Sequence, residues 1–406
     1  MKNVIKYNRY LEYKKDVLFF DKINLEELSK KIKTPAYCYS VLQIKDNFEK
    51  LKKSFKKINP LICYAVKANF NHNIINILSK LGAGADVVSK GELKQSIKNG
   101  VKANKIVFSG VGKTIDELEF AISKNIKQIN VESEEELIDI ERICKKQKKK
   151  INIGLRVNPN VDAETHTKIS TGRFEDKFGI PENKIIGIFE KFKSNNFIKV
   201  NSLSIHIGSQ IKTLKPFSQS FQKLRKLTKE LKKKDFKIKS LDIGGGIGVI
   251  YDEKEDKIFK VSSYVKLVER NFSDLDAEII LEPGRYLVGE SGILLAKVVR
   301  VKKGDNKTFL IIDAGMNNLI RPSLYNAEHE IFPVKKNKIK KKYDIVGPIC
   351  ESSDVFRKNF VISELKQNNL IIISSVGAYG SCMSSDYNLR DNAIEILIEG
   401  KKITGI

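Results

Sequence analysis

The chain has 406 residues, of which 41% are hydrophobic and 30% charged, a composition typical of a folded globular protein with one large domain or two. The formal net charge of +25 comes from lysine runs spread along the whole length without interleaved aromatic residues, which argues against a nucleic-acid-binding surface. Five cysteines without CxxC spacing, a charged amino terminus and the lack of a long apolar run favour a cytoplasmic protein with no metal and no membrane segment.

From residue 44 onward, short apolar segments of strand character alternate with segments whose apolar residues recur at helical spacing. The strand-like segments are 61–66, 85–88, 106–108, 128–131, 151–157, 203–207, 241–243 and 278–281. The helix-like segments are 44–55, 74–81, 92–98, 115–123, 134–146, 185–192, 217–231 and 264–272. Eight strands separated by helices predict an α/β fold, a (β/α)8 barrel of the TIM type over residues 35–285.

After about Gly292 the pattern changes to strand-like segments with turns between them and almost no helical spacing. These segments are 294–301, 308–313, 343–346, 370–375 and 394–398. They predict a C-terminal all-β domain, a sandwich or barrel, over residues 286–406. Residues 1–34 are expected to join one of the two domains, with the β domain as the candidate.

Several reactive or phosphate-binding groups follow the predicted barrel strands. Lys67 follows the first strand, His206 the sixth, the glycine run 244–246 the seventh, and Glu282 with Arg285 the eighth. The carboxyl ends of barrel strands meet at one rim, which carries the active site in enzymes of this fold. Alone, a rim lysine can simply extend to solvent and a single histidine can be structural. Because these groups are all predicted to lie at the same rim, a catalytic role is favoured.

The glycine run lies in the sequence Asp242-Ile-Gly-Gly-Gly-Ile-Gly248, and glycines allow backbone N–H groups to wrap a phosphate. The same pattern occurs in S-adenosylmethionine sites, where it follows the first strand of an open sheet. Here it follows the seventh strand of eight, where barrels commonly bind phosphate. With a lysine that forms a Schiff base and an acid that keeps a pyridine nitrogen protonated, the rim suits pyridoxal 5'-phosphate.

Four stretches together resemble the fold-type III pyridoxal phosphate decarboxylases, most nearly the branch acting on diaminopimelate. They are residues 64–69 (Tyr-Ala-Val-Lys-Ala-Asn), 206–210 (His-Ile-Gly-Ser-Gln), 244–246 (Gly-Gly-Gly) and 282–285 (Glu-Pro-Gly-Arg). Three further stretches separate this branch from relatives that act on ornithine or arginine. They are residues 168–172 with 177–179, 318–325 and 350–354.

The resemblance implies the role of each matching residue. It implies that Lys67 bears the cofactor, that His206 stacks on its ring, and that Cys350 donates a proton from the second subunit of a homodimer. The implied cofactor contacts are Lys67, His206, Ser209, Gly245, Gly246, Glu282, Pro283, Gly284, Arg285 and Tyr379. The implied substrate contacts are Arg285, Arg321, Tyr325, Glu351 and Tyr379.

The reaction that the resemblance implies is decarboxylation of meso-2,6-diaminopimelate to L-lysine and carbon dioxide, the last step of lysine biosynthesis. A thiol can donate a proton at neutral pH, so Cys350 suits the role of proton donor. One departure from the family pattern is Ser353, where glycine is usual.

Three alternatives remain at this point. A sibling decarboxylase acting on ornithine, arginine or carboxynorspermidine is disfavoured by Arg321, because a buried guanidinium left without a second carboxylate is costly. A non-catalytic homologue that binds pyridoxal phosphate is disfavoured by the presence of both Lys67 and Cys350. A methyltransferase is disfavoured by the position of the glycine run after the seventh strand.

Overall fold

The computed structural model of the chain describes residues 3–5, 7–163, 165–166, 171–173, 175–254 and 256–405. The chain divides into two units, a barrel unit of residues 48–248 and 258–286 and a β unit of residues 1–47, 249–257 and 287–406. Residues 35–47 and 249–257 therefore group with the β unit, whereas the division made from the sequence assigns them to the barrel domain. The second of these segments contains Tyr251.

The β unit begins with a four-stranded antiparallel sheet. Its strands are β1 (Asn3–Ile5), β2 (Asn8–Lys14), β3 (Val17–Phe20) and β4 (Ile23–Asn24). Helix α1 (Leu25–Ser29) follows directly, because the side chain of Asn24 accepts hydrogen bonds from the first free backbone N–H groups of the helix. Strand β5 (Ala36–Ser40) then joins the large sheet of the β unit, and α2 (Val41–Ser54) leads to the barrel.

Eight parallel strands of the described chain close into a ring. They are β6 (Leu61–Ala65), β7 (Gly84–Val87), β8 (Ile106–Phe108), β9 (Gln128–Val131), β10 (Ile151–Asn158), β12 (Ile198–Ser204), β13 (Ser240–Asp242) and β14 (Glu278–Leu281). The short β11 (Ile180–Pro181) pairs with the end of β10. Parallel pairing of β14 with β6 and of β9 with β10 closes the ring. The predicted barrel fold is confirmed.

Helices separate the barrel strands. They are α3 (His72–Lys80), α4 (Lys90–Lys98), α5 (Ile115–Ser123), α6 (Glu134–Gln147), α7 (Glu182–Lys191), α8 (Lys215–Lys233) and α9 (Val261–Phe272), and the short α10 (Arg285–Val288) follows the last strand. Ser89, Thr114 and Ser133 cap three of them, and each side chain accepts a backbone N–H of the first turn. The apolar face that predicted α8 is buried, including Phe217, Phe221 and Leu224.

The sixth barrel strand lies earlier than predicted, at Ile198–Ser204 rather than 203–207. Its register with β10 runs from Ile151 opposite Ile198 to Arg156 opposite Ser204. The polar residues within the strand hide it from a search for apolar runs, whereas Ile205 and Ile207 extend the apolar alternation beyond the last ladder pair. His206 therefore lies two residues past the end of the strand, in the loop at the rim.

The rest of the β unit is a second sheet with one short helix, α11 (Arg321–Tyr325). Its further strands are β15 (Gly292–Lys303), β16 (Thr308–Ile312), β17 (Ile331–Pro333), β18 (Lys340–Val346), β19 (Val355–Ser363), β20 (Leu370–Ile373), β21 (Ile394–Glu399) and β22 (Lys402–Thr404). The predicted all-β second domain is confirmed. In the part of the chain that the structure describes, no helix combines the length and apolar character needed to cross a membrane.

Candidate active site

Lys67 lies in a 3-10 turn, Val66–Ala68, that ends the first barrel strand. Its Nζ lies 2.6 Å from Oδ2 of Asp86, whose side chain is fully buried on β7, while the Lys67 side chain is 33% exposed. The strands place the two residues together, because Ala65 pairs with Asp86. A buried carboxylate stabilises the ammonium form of the lysine and fixes its direction.

Asp86 was missed in the sequence analysis. The other carboxylate oxygen of Asp86 makes no hydrogen bond to the described residues. Asp86 is the one charged residue in the otherwise apolar strand Gly84–Val87, and all four residues of that strand are buried. A charge within such a segment is rare without a function or a partner, so this signal could have identified it.

Glu282 follows β14 and forms a carboxyl pair with Asp242 at the end of β13. Both are buried, with exposed fractions of 5% and 0%, and their side chains hydrogen-bond to each other. Asn130 Nδ2 donates to Asp242 Oδ2 at 2.7 Å, and Ser109 Oγ donates to Glu282 Oε1 at 3.4 Å. Two carboxyl groups in such contact share one proton.

Burial is the main cause of the perturbed pKa values in this pair. It raises the pKa of Glu282 well above its ordinary value, and the neighbouring charges of Asp242 and Asp86 raise it further, against the opposing effect of Lys67. Burial likewise raises the pKa of Asp242 to about 6, although hydrogen bonds from Glu282 and Asn130 oppose this shift. The pair therefore retains a proton at pH values where an isolated carboxyl group would have lost it.

His206 lies beside the glycine run, and its ring is held in one tautomer. The N–H of Gly245 donates to His206 Nδ1 at 3.2 Å, so Nδ1 is the acceptor nitrogen. Burial lowers the pKa of His206 well below 6.5, and the positive charges of Lys67 and Arg156 lower it further. The imidazole is therefore neutral at physiological pH.

The glycine run has no room for side chains. A Cβ on Gly244 would lie 2.5 Å from the carbonyl oxygen of Ile205, and one on Gly245 would lie 2.2 Å from that of Glu282. Gly244 and Gly246 also have φ values of +67° and +103°, which L-residues with side chains rarely adopt. The glycines therefore let this loop pack directly against neighbouring backbone, and a loop without side chains suits a phosphate.

The turn that carries Arg285 packs against the turn that carries Lys67. A Cβ on Gly284 would lie 2.8 Å from the Cβ of Ala68, so only glycine permits this approach. Arg285 is 6% exposed, and its Nε and Nη2 both donate to Ser209 Oγ at 3.1 and 3.0 Å. Because the Ser209 oxygen accepts both bonds, its own hydrogen is directed elsewhere.

In the β unit, Arg321 is the first residue of α11 and Tyr325 the last. Arg321 is buried, and its Nη1 donates to the phenol oxygen of Tyr251 at 2.7 Å. Tyr379 has a φ of +55°, which is unusual for an aromatic residue.

Cys350 and Glu351 lie on an exposed loop of the β unit. The N–H of Cys350 donates to Asn388 Oδ1 at 2.9 Å, and Glu351 Oε1 accepts the hydroxyl of Tyr387 at 2.7 Å. The buried carboxylate of Asp354 fixes the loop, since it accepts the N–H groups of Met316 and Ile349, each at 2.7 Å.

Ser353 occupies a position where glycine is usual. Its φ is not positive, so the backbone there has a conformation that a residue with a side chain readily adopts. Its hydroxyl contacts the sulfur of Met316 at 3.6 Å.

The structure thus brings Lys67, His206, the glycine run and Glu282 to one rim of the barrel unit. Ser209, Pro283, Gly284 and Arg285 lie on the same loops. Cys350, Glu351, Arg321, Tyr325 and Tyr379 belong to the β unit. Of the stretches that carry the resemblance, residues 168–170 lie outside the described residues.

The barrel rim fits the chemistry of pyridoxal phosphate. It offers an amine at a strand end, a buried carboxyl that carries a proton, a neutral imidazole and a loop whose backbone leaves no space for side chains. Lys67, Glu282, His206 and the loop of Gly245 and Gly246 are the residues that would hold such a cofactor.

The sequence profile of a family described as "Pyridoxal-dependent decarboxylase, pyridoxal binding domain" matches residues 41–289. A protein from Aquifex aeolicus named diaminopimelate decarboxylase is 43% identical over 398 residues, which cover 98% of this chain and 94% of the relative. A protein of the same name from Helicobacter pylori strain J99 is 45% identical over 383 residues, which cover 94% of each.

Solved structures give the same result. Diaminopimelate decarboxylase from Helicobacter pylori complexed with L-lysine has a TM-score of 0.90 and 44% identity, covering 94% of this chain and 95% of that one. The M. jannaschii enzyme of that name has a TM-score of 0.93 and 35% identity, covering 98% and 95%. A lysine/ornithine decarboxylase from Vibrio vulnificus, at 20% identity and a TM-score of 0.82, shares the fold alone.

Proposed function

The chain belongs to the pyridoxal-dependent decarboxylases, and on this premise we propose that it converts meso-2,6-diaminopimelate to L-lysine and carbon dioxide. It is a carboxy-lyase, and this reaction is the last step of lysine biosynthesis. The observation that carries the substrate is the 43% and 45% identity to two diaminopimelate decarboxylases over at least 94% of this chain.

The cofactor is pyridoxal phosphate, which when bound supplies an electron sink for the electron pair left as the carboxylate departs. Lys67 would hold it covalently, since its amine lies at the rim and is directed by Asp86. Gly245, Gly246 and the hydroxyl of Ser209 would hold the phosphate. The contacts of Arg285 with Ser209 support this role, because they leave the serine hydrogen available for an anion.

Glu282 and His206 have complementary tasks in this proposal. Glu282 belongs to the buried carboxyl pair that retains a proton, so it would hold the pyridine nitrogen of the cofactor and keep that nitrogen protonated. His206 stays neutral, so it can lie against a ring that gains positive charge without repelling it.

The remaining roles concern the substrate and the second subunit. Arg285, Arg321 and Tyr325 would bind the carboxylates, Tyr379 would contact the cofactor and the substrate, and Glu351 would bind the distal ammonium. We propose that two copies of the chain form a homodimer, in which Cys350 of one copy donates the proton to the carbon that lost its carboxylate. The exposed position of Cys350 supports this assignment, because the thiol is accessible to another chain.

The test is release of carbon dioxide by the purified protein from meso-diaminopimelate, measured beside ornithine, arginine and lysine. We expect release from meso-diaminopimelate at a rate roughly 10⁴–10⁵ times that from the other three, the discrimination that a site with buried polar partners gives. Comparable release from ornithine or arginine would identify a sibling decarboxylase. Cytoplasmic localisation is part of the same proposal, supported by the odd number of cysteines and their lack of CxxC spacing.

A further inference from the structure

Tyr251, which lies outside all of the motifs found in the sequence, makes two contacts with Arg321. Its hydroxyl accepts Nη1 of Arg321 at 2.7 Å, and Cζ of Arg321 lies 4.2 Å from the centroid of its ring. Both side chains are 5% exposed. Tyr251 belongs to residues 249–257, the segment that leaves the barrel sequence after the glycine run and groups with the β unit.

The backbone of Tyr251 is fixed on both sides. Its N–H donates to Asp256 Oδ2 at 2.7 Å, and its carbonyl accepts the N–H of Glu330 at 2.9 Å. The next residue, Asp252, accepts Nη1 of Arg357 at 3.0 Å through Oδ2. Tyr251 and Asp252 are therefore held by hydrogen bonds although neither lies in a helix or a strand.

The ring of Tyr251 is fixed as well. The imidazole of His329 meets it edge-on, with centroids 4.8 Å apart and an angle of 75° between the planes. Nδ1 of His329 is itself bonded to the carbonyl of Ser374 at 2.8 Å. The orientation of the Tyr251 ring is thus set by the β unit before any ligand binds.

These contacts differ in kind from an ion pair. A planar guanidinium is attracted to the face of an aromatic ring and to a phenol oxygen, and neither group carries a formal charge that would cancel its own. The two Tyr251 contacts therefore orient Arg321 without neutralising its positive charge. A carboxylate in place of the phenol would compete with an anionic ligand.

We propose that Tyr251 is a positioning residue for substrate selection, which fixes the Arg321 guanidinium in the orientation that receives the distal carboxylate. The inference rests on the proposed function, since it takes Arg321 as the group that binds this carboxylate. It adds a specificity element from outside the motifs that carry the resemblance. The phenol hydroxyl and the ring contribute separately, so substitutions can resolve them.

The experiment uses the holoenzyme and two ligands that differ by one carboxylate. L-lysine, the product, retains the distal carboxylate, and 1,5-diaminopentane lacks it. The ratio of their dissociation constants measures recognition of this carboxylate. It is determined for the wild type, Tyr251→Phe, Tyr251→Leu, Arg321→Ala and the Tyr251→Phe/Arg321→Ala double variant. Tyr343→Phe is the matched control, because it removes a buried hydroxyl that bonds the backbone of Leu365.

We expect Tyr251→Phe to lower the preference for L-lysine about tenfold, as loss of one hydrogen bond to a charged group predicts. The KM for meso-diaminopimelate should rise by a similar factor, with kcat within about twofold, because the contact orients a binding group and not the reacting atoms. Tyr251→Leu should lower the preference further, since it also removes the ring. The double variant should match Arg321→Ala, and Tyr343→Phe should match the wild type.

Two results distinguish a failure of the Tyr251 inference from a failure of the proposed role of Arg321. If Arg321→Ala abolishes the preference while Tyr251→Phe and Tyr251→Leu retain it, the positioning role of Tyr251 is wrong and the proposed function stands. If Arg321→Ala retains the preference, the carboxylate role of Arg321 is wrong, and the Tyr251 inference falls with it. The visible absorbance of the bound cofactor and the thermal midpoint identify any variant that fails to fold, and Tyr251→Phe, which removes one oxygen atom, remains interpretable if Tyr251→Leu does not.

Discussion

Replacing Gly245 by alanine tests the glycine run with a perturbation whose size the structure fixes. The added Cβ would lie 2.2 Å from the carbonyl oxygen of Glu282 and 3.0 Å from its carbonyl carbon, whereas ordinary contacts begin at 3.4 Å. Both obstacles are backbone atoms, so either the loop or the end of β14 must move by about 1 Å. Such overpacking costs about 1–3 kcal/mol, and each kcal/mol lowers the melting midpoint of a unit this size by about 2–4 °C.

The same movement should weaken cofactor binding. Glu282 lies at the displaced strand end, and the loop itself is the proposed phosphate site, so both would leave their positions together. A loss of about 1.4 kcal/mol in binding energy raises the dissociation constant tenfold. We expect at least this change in a titration of the cofactor-free variant, followed by the visible absorbance of the bound cofactor.

Gly187→Ala is the control for this experiment. Gly187 lies within α7, and a Cβ there meets no atom within 4 Å. Because alanine favours the helix, the control should be more stable by about 0.5–1 kcal/mol with unchanged cofactor affinity. If Gly245→Ala kept the wild-type melting midpoint and the wild-type cofactor affinity, the close approach of the two backbones would be wrong.

Three further predictions concern the proposed catalytic groups. Lys67→Ala should abolish the visible absorbance of the bound cofactor, and an unchanged band would rule out a covalent role for this lysine. Cys350→Ala should lower turnover by roughly 10²–10⁴, the usual contribution of a general acid, with the cofactor still bound; full turnover would place the proton donor elsewhere. For Glu282, the raised pKa means that the folded cofactor-free protein retains a proton that the unfolded chain releases above about pH 4.5. The stability that this group contributes is therefore lost as pH rises. We expect the difference in free energy of unfolding between the wild type and Glu282→Gln, measured by urea titration, to fall between pH 5 and 7. A difference that does not change with pH would refute the raised pKa.

The barrel rim derives its chemistry from buried charges that are arranged in pairs. Asp86 stabilises the cationic form of Lys67, while Asp242 and Glu282 share a proton. The first pair favours an ammonium group and the second keeps a proton close to the centre of the barrel. Replacing either partner alone leaves an uncompensated group in a buried site, which is costly, so these residues depend on one another.

Much of the site was predictable because its residues lie next to recognisable local features. Lys67 follows a buried strand, the glycine run requires backbone geometry that only glycine adopts, and Glu282 ends another strand. Periodicity also located the helices well: the predicted segment 115–123 coincides with α5, Ile115–Ser123. These features depend on neighbours in the sequence, which is why the sequence reveals them.

Other features depend on partners distant in the chain, and local patterns could not find them. Strand β19 (Val355–Ser363) was missed because its charged and polar residues 357–359 interrupt the apolar pattern. It is a strand because it pairs with β18. The sixth barrel strand was placed too late because its ladder with β10, and not its apolar content, sets its ends.

The amino-acid sequence by itself determined the barrel, the all-β character of the second unit and the identity of the groups at the strand ends, because strand and helix periods and glycine geometry are local properties. Only the tertiary structure decided that Asp86 pairs with Lys67, that Asp242 shares a proton with Glu282, and that residues 249–257 group with the β unit, where Tyr251 contacts Arg321. Each of these features depends on residues that are distant in the sequence and that folding brings together. Charge pairing and ring contacts act only over short distances, so the sequence alone does not reveal them.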